Sequence, residues 1–251
     1  MSGNGLVIVP DRLLIFRSGQ KNRFPSNAPI KNIYRRNSSM VSRMFLSLNE
    51  FDSVQKLRDE INKRNLLVNL WNKTPMSLAT VSKSLKTLED DLIIDRTDLI
   101  RLLQPKKLME KLTDNYIKPK VTDRIQLKVN GNPASILNNL FMKVCQAGIP
   151  LIVTGLSSVS KYAVMQRGDM ISFYCPQISS FLEHIPADRT DRFPNIELIE
   201  TSEEPVYFDP FESEGILWAS PIQTYLELMI GDKRDRETAD QVMSYIIDER
   251  M

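Results

Sequence analysis

The chain has 251 residues and a mass of 28.9 kDa, above the usual single core of about 100 to 150 residues, so two domains are expected. At 42% hydrophobic and 25% charged residues it excludes a disordered, collagen-like or coiled-coil chain. The net charge of +2 hides a partition: residues 1–120 carry 22 Lys and Arg against 12 Asp and Glu, and residues 121–251 carry 11 against 19. A basic half attracts polyanions by neutralising phosphate, and an acidic half repels them, so the partition points to nucleic acid at one end.

Scarce residues exclude further chemistry. Cys145 and Cys175 lie thirty apart with no histidine beside them, so neither a zinc site nor a disulfide framework is expected, and both thiols are expected reduced and buried. His184 is the single histidine, which excludes zincins and most metal hydrolases. No metal and no cofactor is expected. The apolar runs, such as residues 149–153, fall far short of the roughly 18 residues that span a bilayer, and no basic-then-apolar export signal opens the chain. A cytoplasmic protein without a membrane partner is expected.

In chain order, residues 6–9 and 13–16 are β-rich runs around Pro10-Asp11 and predict a hairpin, expected to be the remnant of an upstream domain. Residues 18–37, with Pro25, Pro29, Arg35 and Arg36, read as a linker or DNA-tracking arm, so residues 1–37 form the first segment. Met40, Val41, Met44, Phe45 and Leu48 predict a helix with one buried face. A second helix starts at an Asp52 or Ser53 cap, and Leu66, Leu67, Leu70 and Trp71 make a short third.

After Pro75, Ser77 reads as the cap of a fourth helix over residues 77–90. Leu78, Val81, Leu85 and Leu88 form its expected buried stripe, leaving Ala79, Thr80, Ser82, Lys83, Lys86 and Thr87 outward. Small residues allow close approach to a groove floor, hydroxyls bond base edges or phosphates, and the lysines neutralise phosphate or reach guanine acceptors. Residues 92–94 and 99–103 around the tip 95–98 predict a second hairpin carrying Arg96, and Pro105 opens a fifth helix. Short helix, turn, capped helix and hairpin make a winged helix over residues 38–120. The expected DNA contacts are Ser77, Ala79, Thr80, Ser82, Lys83 and Lys86 in the major groove and Arg96 on the backbone, with further phosphate contacts from Arg35, Arg36 and Arg43.

The run Thr74-Pro75-Met76-Ser77 and the helix after it resemble the turn and recognition helix of bacterial winged-helix regulators. In the second half, Leu151-Ile152-Val153-Thr154-Gly155-Leu156-Ser157-Ser158, the run from Trp218 through Pro221 to Met229, and Arg234 to Ala239 resemble the AbiEi-like antitoxin regulators of type IV toxin–antitoxin systems. Two departures stand out: Pro75 replaces the more usual glycine of the turn, and residues 49–64 are longer than a minimal winged helix requires. The resemblance implies an α+β protein: an N-terminal winged helix-turn-helix joined to a C-terminal, degenerate nucleotidyltransferase-like α/β domain over residues 121–251. It further implies an autoregulating repressor and antitoxin whose partners are operator or promoter DNA, a cognate toxin and a second copy of the chain.

Catalysis is not expected. A working nucleotidyltransferase needs two carboxylates at alternate strand positions after its Gly-Ser turn, to hold magnesium. The stretch after Gly155 offers Asp169, and Asp188 and Asp191 are spaced by three between arginines. A nucleophile elbow lacks its final glycine after Ser157-Ser158, and His184 reads as partly buried and structural. Residues 155–158 are expected to form a strand-to-helix turn capped by Ser157 or Ser158. Residues 200–214, with six carboxylates among Val206, Tyr207, Phe208 and Phe211, suit a basic protein partner. The alternatives are an antitoxin acting mainly by protein contact and a residual nucleotide-binding enzyme using residues 154–158 as a phosphate turn.

Overall fold

A computed structural model describes residues 5–9, 13–17, 32–129, 133–164, 170–184, 188–189 and 192–249. It divides into two compact units, Met1–Lys31 and Asn32–Met251. In the first, β1 (Gly5–Val9) and β2 (Leu13–Arg17) pair antiparallel as expected, Val9 opposite Leu13. The Pro10-Asp11 turn and residues 18–31 of the expected linker lie outside the described residues.

The second unit starts inside that expected linker, because Ile33 and Tyr34 are buried and the Tyr34 hydroxyl donates to Asp91 at 2.5 Å. A 3-10 turn then leads into α1 (Ser39–Phe45), β3 (Glu50–Phe51), α2 (Val54–Lys63), α3 (Leu66–Leu70), α4 (Leu78–Asp90), β4 (Ile94–Asp95), β5 (Ile100–Leu102) and α5 (Pro105–Asp114). Ser53 caps α2 and Ser77 caps α4, each accepting at 3.2 Å from the amide three residues on, while Pro105 fills the first position of α5 where an amide has no helical partner. The strands form an antiparallel sheet in the order β3-β5-β4. Strand β3 has only two residues and so leaves no periodicity in the sequence. Val81, Leu85 and Leu88 of α4 are buried, and α4 packs on α1 and α2.

Helix α1 departs from expectation: all seven of its residues are buried, polar ones included, rather than a single face. Its second cover comes from the C-terminal half. There the order is β6 (Asp123–Lys128), α6 (Pro133–Gln146), β7 (Ile152–Val153), α7 (Gly155–Ser158), β8 (Ile171–Cys175), α8 (Ile178–His184), β9 (Asp188–Arg189), β10 (Ile196–Glu200), β11 (Phe211–Ser213), β12 (Ile216–Trp218), α9 (Pro221–Met229) and α10 (Lys233–Ser244). These strands build one mixed sheet, β11-β12-β7-β8-β10-β6-β9, with β8 parallel to β10 and β7 parallel to β12. The whole is a mixed α+β protein.

Strand alternation sorts the sheet into two faces. Val153, Phe173, Cys175, Ile196 and Leu198 pack into one core with Leu140, Phe141 and Val144 of α6. On the opposite face Ile152, Tyr174 and Ile199 share a second core with Val206 and Tyr207 and with Leu67 of α3. That second core contains residues from both sides of position 120, so Asn32–Met251 is one unit. Val206 and Tyr207 lie in a 3-10 turn over Glu204–Tyr207, and they and Phe208 are all buried, without strand alternation.

Candidate nucleic-acid interface

Helix α4 presents Leu78, Ala79, Ser82, Lys83 and Lys86 to solvent, along about 140° of its circumference at 3.6 residues per turn. Ala79, Ser82, Lys83 and Lys86 stand where the sequence puts them. Leu78 does not: expected in the core, it is 41% exposed. The buried stripe runs through Val81, Ser84, Leu85 and Leu88 instead. Asn62 of α2 grips the backbone of Met76, accepting from its amide at 2.7 Å and donating to its carbonyl at 3.2 Å, which fixes where α4 begins. Ser77 is exposed but its oxygen caps the helix, and Thr80 is half-buried with its hydroxyl 3.0 Å from that of Ser77. These two hydroxyls are already engaged in holding the first turn.

Charge grades along this face. The first turn is apolar and hydroxylic, Lys83 and Lys86 occupy the middle, and the exposed carboxylates of Glu89 and Asp90 close the last turn. Arg96, exposed at the tip between β4 and β5, pairs with Glu89 at 3.3 Å. Arg35 is exposed, and Arg36 is exposed but paired with Glu203 at 3.0 Å.

Arg43 is not a phosphate contact. It is 3% exposed, and its Nη1 donates to the Pro205 carbonyl at 2.9 Å and to Gln223 Oε1 at 2.8 Å, while Nε has no hydrogen-bond partner among the described residues. Burial pulls its pKa down to about 10, against the upward pull of Tyr116 and Glu227. Gln223 in turn donates to Glu227 at 2.8 Å and to the Tyr116 hydroxyl at 2.9 Å. A polar chain therefore runs from α1 to α9. Its sequence signals are an arginine inside a helix whose other residues are apolar or serine, and Gln223 and Glu227 four apart in the largely apolar α9. Both go unused when each half is read alone.

Glu227 is 6% exposed, and burial raises its carboxyl above the ordinary carboxylate range, opposed by hydrogen bonds from Gln223, the Leu156 and Gly155 amides and Tyr174. The Leu156 amide donates at 3.0 Å and the Tyr174 hydroxyl at 3.2 Å. A Cβ at Gly155 would stand 2.7 Å from the Glu227 carboxyl carbon, so glycine here admits the carboxylate rather than an unusual φ. Thr154, not Ser157 or Ser158, caps this turn. Beside it lies a cavity of about 250 Å³ whose walls include Arg124, Ser172, Tyr174 and Glu197. Glu197 accepts from Arg124 and from Ser172, both at 2.8 Å.

The remaining candidates disperse. Strand β8 after the glycine turn places Ser172 and Tyr174, not carboxylates, at alternate positions on the cavity face. Asp169 and Asp191 lie outside the described residues, and no group of three or more His, Cys, Asp or Glu able to hold a metal occurs among those described. His184 is exposed rather than partly buried, its Nδ1 2.9 Å from the Ser180 carbonyl. Cys175 is buried as expected, but Cys145 is exposed. The acidic run 200–214 engages the chain's own basic half: Glu203 holds Arg36, Glu204 holds Asn37 and Asn65, and Asp209 holds Arg64 and Ser47. Among the described residues no helix is long and apolar enough to cross a membrane. No family model matches the chain, and neither a curated protein nor a solved structure gives a significant match to it.

Proposed function

We propose that the protein is a sequence-specific regulator of transcription whose α4 enters the major groove of duplex DNA. The observation that carries this reading is the graded exposed face of α4. Phosphate repels its acidic last turn and attracts its lysines, so the helix would enter by its first two turns, where small and hydroxylic side chains permit close approach. The order α1-β3-α2-α3-α4-β4-β5, with an antiparallel three-stranded sheet, supports a winged helix carrying the extra short α3, with the β4–β5 loop as wing. Arg96 would exchange its pairing with Glu89 for a backbone phosphate. The order β6-α6-β7-α7-β8-α8-β9-β10 after it supports a nucleotidyltransferase-like half, and the motif resemblance supports an autoregulating antitoxin of a type IV system.

Nucleotide chemistry in that half is the weaker reading. The side chain of Glu227 already accepts from the Leu156 amide, which a phosphate turn would need to offer to its ligand. The test is binding to the protein's own promoter fragment and to a scrambled duplex at several salt concentrations. Preference for the promoter is expected. Arg96→Ala should weaken binding and, as a phosphate contact, flatten the log–log salt dependence by about one unit, Lys83→Ala should alter the sequence preference, and Arg43→Met should leave the slope unchanged. Equal, steeply salt-dependent binding to both duplexes would overturn the reading.

A further inference from the structure

We infer that Leu78 is a specificity determinant that reads the 5-methyl group of a pyrimidine, thymine above all, in the major groove; this rests on the DNA-binding reading of α4. Leu78 is the large apolar side chain on an otherwise small, hydroxylic and basic arc formed with Ala79, Ser82, Lys83 and Lys86. It is 41% exposed although Val81, one turn along, is fully buried, and the Asn62 grip on Met76 holds the chain two residues before it.

The major groove offers one apolar recognition element, the thymine methyl group; every other base-edge signal is a hydrogen-bond donor or acceptor. An isobutyl side chain donates and accepts nothing, so on this face the methyl group is the base feature it can complement. Ala79 at its side has no reach to obstruct that contact. The lysines a turn away supply the charge complementarity that brings the polyanion to the helix, and the acidic last turn keeps the helix tilted onto its first turns.

The experiment selects preferred duplexes from a randomised library with the full chain, then replaces each thymine of the selected site by deoxyuridine, which removes the methyl group alone. Burying one methyl is worth about 0.8 kcal/mol, so at one or two positions the replacement should weaken binding about fourfold. Leu78→Ala should bind the thymine and deoxyuridine duplexes equally at those positions. Leu78→Met, which keeps apolar reach, should restore part of the difference. Uniform tolerance of deoxyuridine by the unaltered protein, or an undiminished difference in Leu78→Ala, would overturn the Leu78 contact while leaving DNA recognition standing. Failure of any sequence to be enriched would overturn the DNA-binding reading and this contact with it.

Discussion

Helices α4 and α6 end in the same pair of hydrogen bonds but with different residues at the bend. In α6, Gly148 takes a φ of +65°, its amide donating to Cys145 and that of Ile149 to Val144. In α4 the same bonds run from Leu92 to Glu89 and from Ile93 to Leu88, yet Leu92 has a φ of +58° and is 66% exposed. A side chain in the left-handed region costs about 1–2 kcal/mol, and glycine's extra freedom when unfolded returns part of that. Leu92→Gly should therefore stabilise the protein by about 0.5–1 kcal/mol in urea unfolding; a loss of stability would mean that Leu92 has packing partners worth more than its strain. Gly155 is the opposite case, because added bulk meets Glu227. Gly155→Ala should destabilise by about 1–3 kcal/mol, and in a double-mutant cycle with Glu227→Ala much of that loss should disappear. Additive effects would place the cost elsewhere.

Helix α9 is almost entirely buried, yet carries Gln223 and Glu227 through its length. The folded protein holds the Glu227 carboxyl above the range of an unfolded chain, so folding favours its protonated form. The contribution of this group to stability is then fullest below the ordinary carboxylate range and is lost as pH rises through the raised folded value. Glu227→Gln cannot ionise and should lack that part of the pH dependence. Urea midpoints over acidic to neutral pH would reveal it as a diverging difference between the two proteins, and parallel profiles would refute it. The same helix illustrates what the sequence disclosed. Its bounds were readable from a serine cap followed by Pro221, as those of α4 were from Ser77. The short strands β3, β11 and β12 were not, since two or three residues establish no period. The start of α10 is legible in Asp232 and Asp235, which form a reciprocal cap. The burial of Arg43 was beyond local reading, because its cover, Pro205 and Gln223, comes more than 160 residues later.

Across the whole molecule, the basic and acidic halves partly neutralise each other along an internal seam. Arg64 pairs with Asp209 at 2.9 Å and Arg36 with Glu203 at 3.0 Å, while Lys83 and Lys86 remain turned to solvent. The two cysteines offer a probe of how far this assembly opens as one. Cys145 is exposed, whereas burial, reinforced by Glu200, pushes the Cys175 thiol up to about 12. An aromatic disulfide reagent at neutral pH should modify one thiol rapidly and the second only at the rate of global opening, slowing further in any stabilised variant. Two rapid thiols would show that the sheet opens locally. The core shared by Leu67, Ile152, Tyr174, Ile199, Val206 and Tyr207 carries a practical consequence. Cutting the chain near residue 120 to isolate a DNA-binding fragment would strip cover from leucine on one piece and from tyrosine and isoleucine on the other, and both pieces would present sticky apolar surface. Fragments for biochemistry are better made by pairing the two pieces in one cell, so that each serves as the other's solubilising partner.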